Sequence, residues 1–470
     1  MADFGYDISD YYSVDPVFGN LDDIQELIDQ AHQRGIKVLI DLVANHTSDE
    51  HPWFIESRSS KNSYRRDWYI WRDGLNDGPP NDWLSVFGGS AWQYDKDTNQ
   101  YYLHSFSSKQ PDLNWANPQV RRAVKEFMSF WLDLGVDGFR ADAIYWLAKD
   151  HRFRNDPLKY ESLALKSSDY DNLAHTYSRN RPQLYKYLRG MTTILRKYKD
   201  RFMVIEAEPE GADPAHEYLK FYRYVDPSHM APFNFEGIYY PWKASVFKLF
   251  IDRFQRALKK KYLPVYTFGN HDKSRLASRF GEAAAPSAAV LLLTLPGMPF
   301  IYYGEEIGMQ DGQIPSLFRK DPLQKRGPDR DEARTPMQWS SSAYAGFSQG
   351  RPWLPPAKDY RTRNVKNQLA DPDSILNLYR ELIKLRNSSK ALKYGSYKPL
   401  DTANLYVLGF SRKYGRQNLI VLVNFKPRTE QVKSKELSGR IVLSSDPKTE
   451  KSHVNGSVEL RPNEAVIIAT

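Results

Sequence analysis

Short apolar runs alternate with amphipathic stretches along most of this chain. In residues 21–34, Ile24, Leu27, Ile28 and Ala31 recur at helical spacing on one face. Asn20 can cap the start of that helix and Gly35 can end it. The run Lys37-Val38-Leu39-Ile40-Asp41 follows, as a buried parallel strand should. The couplet then returns. A helix near 118–134, opened by Pro118 and stopped by Gly135, leads into a strand over 136–142. Further pairs are 184–199 with 202–206, 242–258 with 264–270, and 286–295 with 299–303. Repeated helix–strand alternation predicts a parallel sheet, open or closed into a barrel.

Two stretches break the rhythm. Residues 45–117 are too long for a loop and rich in Trp, Tyr, Gly and Asp, so they predict a small subdomain. Residues 309–363 are rich in Pro and Arg and predict a structured loop region. A helix over 374–385 closes the alternating part. Strand-like runs follow at 405–410, 419–424, 440–444 and 465–469, which predict an all-β C-terminal sandwich. The expected division is a catalytic barrel over 1–45 and 118–390, an inserted subdomain over 46–117, and a β-sandwich domain over 391–470.

A chain of 470 residues, 41% hydrophobic, exceeds one ordinary core and predicts two or three domains. Aromatic residues make up 14%, with 31 Tyr and 11 Trp. Such rings either fill cores or stack on the C–H faces of sugars. The net charge of +9 is scattered in short runs such as Lys259-Lys260-Lys261, which read as solvated faces, and no nucleic-acid partner is expected. The absence of Cys excludes disulfides and thiolate metal sites. The start, MADFGYDISD, lacks the basic and apolar regions of a secretion signal, and no run approaches a membrane span. A soluble, cytoplasmic protein is the expectation.

Candidate chemistry sits where the strands end. Asp41 follows Val-Leu-Ile, Arg140 and Asp142 close Val-Asp-Gly-Phe-Arg-Ala-Asp, Glu206 follows Phe-Met-Val-Ile, and Asn270-His271-Asp272 follow Tyr-Thr-Phe-Gly. In an α/β barrel, catalytic groups gather at the C-terminal ends of strands. Residues i and i+2 of a strand project together, so Arg140 should accompany Asp142 and keep it ionised. An Asp after a strand can instead cap the next helix. Four acidic strand ends in one chain argue against capping alone. Two facing carboxylates suit glycoside cleavage, one attacking the anomeric carbon while the other protonates the leaving oxygen. Burial behind four apolar residues, with Asp142 opposite, should raise the Glu206 pKa.

Asp41-Leu-Val-Ala-Asn-His46, Gly138-Phe-Arg-Ala-Asp142, Ile205-Glu206 and Gly269-Asn-His-Asp272 resemble the motifs of glycoside hydrolase family thirteen, the α-amylase superfamily. Gln110-Pro-Asp-Leu-Asn114 and Arg334-Thr-Pro-Met-Gln-Trp339 resemble its α-glucosidase and oligo-1,6-glucosidase branch. The ordered set spans nearly the whole chain. The resemblance implies Asp142 as nucleophile, Glu206 as acid/base and Asp272 as the third acid that holds sugar hydroxyls. It implies substrate-binding roles for Tyr6, Asp7, His46, His271 and Arg334, and makes Arg140 the orienter of the nucleophile. An oligosaccharide or disaccharide is the implied partner, with no cofactor.

Three departures qualify the resemblance. Ile205 stands where the family has Gly before the acid, and Glu208 and Glu210 lie close by as rivals. Ala143 stands where α-1,6-cleaving members of the branch carry Val, which favours α-1,4 bonds. The segment before Gly5 is shorter than the family's first strand, first helix and second strand. The expectation is therefore a (β/α)₈ barrel lacking its first two strands, with six barrel strands and no assignable metal site. Retaining hydrolysis of terminal α-glucosidic bonds is the favoured activity. Alternatives are a transglycosylase or sugar isomerase with the same site, an inactive shortened product, and an interaction-only relative. The retained acids Asp142, Glu206 and Asp272 speak against the last.

Overall fold

The computed structural model describes residues 2–159, 169–208, 213–321 and 330–470. The chain divides into two compact units. The first takes its described residues from 2–208 and Lys220–Pro232. The second takes them from 213–219, Phe233–Asp321 and 330–470.

In the first unit, β1 (Leu39–Val43) follows the helix Leu21–Gln33. Asn20 and Asp23 form a reciprocal capping box at the start of that helix. Inserted next are β2 (Trp71–Arg72), β3 (Trp92–Asp95) and β4 (Gln100–Leu103), an antiparallel sheet of order β2-β4-β3. Many aromatic residues of this insertion form its core, although Tyr64 and Tyr94 are exposed. Trp83 and Trp92 pack with Ile70, Ala91 and Leu103, and Phe54 meets Tyr69, Trp71 and Tyr102 ring to ring.

The helix Pro118–Leu134 then leads to β5 (Gly138–Asp142), and β6 (Phe202–Ile205) and β7 (Met230–Pro232) complete a parallel sheet of order β1-β5-β6-β7. Gly138, at φ +151°, lets β5 approach β6, since a Cβ there would stand 1.7 Å from the Phe202 carbonyl oxygen. β5 and β6 are central, and their apolar residues other than Phe202 are buried. β1 departs from the expected buried strand. It is an edge strand among the described residues, and Leu39 is 40% exposed while Leu42 is 3% exposed. The helix beside it buries Ile28 but leaves Leu27 exposed.

In the second unit, β8 (Val265–Thr267) and β9 (Met298–Phe300) pair in parallel, which makes six parallel strands among the described residues. The helix Ala285–Thr294 has every residue but Pro286 buried. Beyond the helix Ile375–Ser388 lie β10 (Ser396–Leu400), β11 (Val407–Tyr414), β12 (Gln417–Asn424), β13 (Glu430–Ser444), β14 (His453–Leu460) and β15 (Ala465–Ala469). They form an antiparallel sheet of order β10-β11-β12-β15-β13-β14 that closes over a core drawn from all six strands, including Leu400, Leu422, Val432, Leu460 and Ile468. The buried Arg412 ties this sheet to its neighbours by donating to the carbonyls of Thr294, Leu392 and Gly395. Among the described residues, no helix is long and apolar enough to cross a membrane.

Candidate active site

The parallel register of the first unit sets the geometry. Asp41 pairs with Arg140, Val43 with Asp142, and Ala141 with Ile205. The Glu206 N–H donates to the Ala141 carbonyl at 3.0 Å, so the β5–β6 ladder runs one residue beyond β6. Asp142 and Glu206 are therefore neighbours on adjacent strand ends. Arg140 joins them. Its Nη1 donates to Asp142 Oδ1 at 2.9 Å, to Asp41 Oδ1 at 2.8 Å and to the Tyr6 hydroxyl at 3.1 Å. Its Nη2 contacts Glu206 Oε1. Burial pulls the Arg140 pKa down, but Glu206, Tyr6, Asp142 and Asp41 more than offset this and hold it well above its ordinary value. The guanidinium is a fixed cation among carboxylates, and it serves the second acid as well as the nucleophile candidate.

Ala143 follows Asp142 in the left-handed region, at φ 48° and ψ 37°, and its N–H donates to Glu206 Oε2 at 3.3 Å. An alanine held there is strained by about 1 kcal/mol or more. The strain sits between the two carboxylate-bearing positions.

The N-terminal turn supplies Tyr6, whose ring lies 5.7 Å from the Arg140 guanidinium carbon. His46 is buried, and its Nε2 lies 2.9 Å from the Tyr6 carbonyl oxygen, while Asn45 Nδ2 lies 3.2 Å from its Nδ1. Nε2–H donation to Tyr6 leaves Nδ1 to accept from Asn45. Burial lowers the His46 pKa and keeps the ring neutral. Both nitrogens are thus engaged within the protein. Asp7, expected at the sugar's far end, accepts the backbone N–H groups of Ala2 at 2.6 Å and Asp3 at 2.9 Å. Behind His46, buried Asp112 pairs with buried Lys149 at 2.8 Å. This pair escaped the sequence reading because Lys149 belongs to no motif.

Of the rivals of Glu206, Glu208 lies beyond the end of β6. β6 ends at Ile205, so Glu208 does not continue an inward face, and its carboxylate lies 3.9 Å from Arg179. Glu210 falls outside the described residues.

The second unit gathers the other predicted residues. Asp272 Oδ1 accepts from Arg334 Nη2 at 2.8 Å and Arg330 Nη1 at 3.2 Å. His271 Nε2 lies 3.4 Å from Asp272 Oδ2, and Arg334 Nε donates to the His271 carbonyl at 2.9 Å. Arg330, missed in the sequence, is itself anchored by buried Asp321 at 2.7 Å. Its place four residues before Arg334 was the available signal. Among the described residues, no group of three or more His, Asp or Glu side chains is arranged to hold a metal ion.

The α-amylase catalytic-domain family matches residues 1–395. The chain belongs to the α-amylase family. This α-amylase-family chain is 38% identical to an oligo-1,6-glucosidase of Parageobacillus thermoglucosidasius, over 98% of its length and 88% of that protein. It is 39% identical to a probable α-glucosidase of Rhizobium meliloti (strain 1021), over 93% and 81% respectively. Among solved structures it matches the α-glucosyl transfer enzyme XgtA with a TM-score of 0.91 at 33% identity, covering 100% of this chain and 89% of that one. It also matches the trehalulose synthase MutB of Pseudomonas mesoacidophila MX-45, with a TM-score of 0.88 at 32% identity and coverage of 99% and 89%. This α-amylase-family chain is a glycoside hydrolase of the α-glucosidase type.

Proposed function

We propose that the chain cleaves terminal α-glucosidic bonds of short α-glucosides with retention, using Asp142 as nucleophile and Glu206 as acid/base. The supporting observation is Arg140, one guanidinium in contact with both carboxylates on adjacent strand ends. Neighbouring strands lie about 4.8 Å apart. A covalent glycosyl-enzyme needs carboxyls about 5–5.5 Å apart, whereas inversion needs roughly 6.5–9.5 Å to admit a water. The register favours the covalent route.

Arg140 and the Ala143 N–H both contact Glu206. A sugar placed between the carboxyls displaces these contacts and lets Glu206 carry the proton it gives to the leaving oxygen. Asp142 attacks the anomeric carbon. Glu206 then takes a proton from water, which attacks the same carbon and releases the sugar. Asp272, fixed between Arg330 and Arg334, is assigned to sugar hydroxyls, with His271 and Arg334 in support. Tyr6 stacks on the sugar face. His46 serves by holding the Tyr6 carbonyl, and Asp7 by closing the N-terminal turn.

Small Ala143 leaves room for an α-1,4-linked leaving sugar, which supports that linkage over α-1,6. A second reading, transfer to a sugar acceptor, draws support from the likeness to XgtA and the trehalulose synthase. Both readings share the glycosyl-enzyme. Product analysis on maltose, isomaltose and sucrose at low and high concentration separates them. Glucose should accumulate fastest from maltose, and Asp142→Asn should abolish its release. Wild-type turnover in that variant ends the proposal.

A further inference from the structure

Glu305 opens the 3₁₀ turn Glu305–Ile307 after β9. Its side chain is 5% exposed, and neither carboxyl oxygen has a hydrogen-bond partner. A buried carboxylate without donors is costly, so such a group keeps its proton. Burial pushes the Glu305 pKa up to about 8, opposed by Arg279, the Tyr302 N–H and Arg275 and assisted by Glu306. The opposing groups do not supply a bond. Arg275 donates to the carbonyls of Tyr303 and Thr335, and Arg279 to those of Ser274, Ile238 and Phe268. The Tyr302 N–H lies near without reaching hydrogen-bonding geometry. Tyr302 and Tyr379, whose phenols burial holds above their ordinary pKa, complete the titratable surroundings.

Glu305 presses on Gly269. A Cβ added there would stand 2.2 Å from Glu305 Oε1. Gly269 directly precedes the Asn270-His271-Asp272 turn, in which Asn270 Oδ1 accepts the Asp272 N–H at 3.1 Å. Ionised Glu305 would draw Arg275 and Arg279 from the carbonyls they hold, and one of these belongs to Phe268, next to Gly269.

We propose that Glu305, as a neutral carboxylic acid packed on Gly269, is a positioning residue that sets the Asn270–Asp272 turn for sugar binding, and that its ionisation releases the turn. This rests on the assignment of Asp272 to sugar hydroxyls.

The test is maltose binding by calorimetry from pH 6.5 to 9.5, in a Glu206→Gln background so that the acid/base does not titrate. If only protein with neutral Glu305 binds, the apparent Kd rises tenfold per pH unit above 8, about thirtyfold by pH 9.5. Adding Glu305→Gln should flatten the profile. Affinity that is constant across the range without that change, or an identical decline with it, overturns the inference. A second pair tests the contact itself. Gly269→Ala should weaken binding at pH 6.5 at least tenfold, and adding Glu305→Ala should restore most of the loss. Binding by Gly269→Ala as tight as its parent also overturns it. A parent that binds no maltose, together with full turnover in Asp142→Asn, sinks the α-glucosidase reading and takes this inference with it.

Discussion

Arg140 contacts more of the proposed chemistry than its sequence position suggests. The i, i+2 spacing to Asp142 was legible in Gly138-Phe-Arg-Ala-Asp142. The contacts to Glu206, Asp41 and Tyr6 were not, because they depend on register and on the N-terminal turn. A lysine would keep the charge but is a point donor that cannot reach partners on several sides. Arg140→Lys should lower kcat/KM on maltose by roughly 10²-fold, the scale of losing one well-placed charge-stabilising donor. Steady-state kinetics with a matching melting temperature checks this, and an unchanged kcat/KM would show the bridge to be incidental. Glu206→Gln makes a sharper statement. Maltose has a poor leaving group and should lose about 10²–10⁴-fold, the usual contribution of a general acid. 4-Nitrophenyl α-glucoside leaves without a proton and should lose far less in its first chemical step. Equal losses on both substrates would move the acid role away from Glu206.

At the scale of elements, periodicity located five of the six parallel strands described, and the helices that precede them, to within a few residues, and the strand-end acids followed from that. It was weaker where burial depends on neighbours. Lys37–Asp41 reads as a buried strand from its apolar run, yet β1 lies at the sheet edge and only its C-terminal half is enclosed. Outside the insertion, whose β2, β3 and β4 were read only as a subdomain, three strands were not drawn in the sequence, each for a physical reason. β7 is the brief Met-Ala-Pro. β10 carries Pro399, whose missing N–H counts against a strand. β14 has Gly456 and mostly polar neighbours, so its pairing with β13 rather than its own pattern makes it a strand. The edge placement of β1 is measurable. Leu42→Ala removes a buried side chain and should cost about 2–5 kcal/mol, whereas Leu39→Ala, at a half-open edge, should cost under about 1 kcal/mol. Denaturant midpoints of the two variants at equal m-value give the comparison. Equal losses would mean that Leu39 is enclosed in solution.

At the scale of the whole molecule, acid stability should be governed by neutral buried histidines rather than by the net charge of +9. Burial lowers the pKa of His46 and His104, and takes His51 and His175 to about 4. The sign follows from proton binding. Between the unfolded value near 6.5 and the folded value near 4, the unfolded chain holds a proton that the folded chain does not. Stability from His51 and His175 is therefore complete above about pH 6.5 and is lost as pH falls toward 4. For His51 the ceiling is about 3 kcal/mol, from roughly 1.4 kcal/mol per pKa unit. His51 also caps the helix Pro52–Ser59, its Nδ1 accepting the Trp53 N–H at 3.0 Å. Asparagine offers an oxygen for that N–H but does not titrate, so His51→Asn separates capping from charge. Melting temperatures measured from pH 7.5 to 4.5 should fall less steeply in His51→Asn than in the parent, with the curves closest above pH 7. Parallel curves would show that His51 already carries its proton in the folded chain.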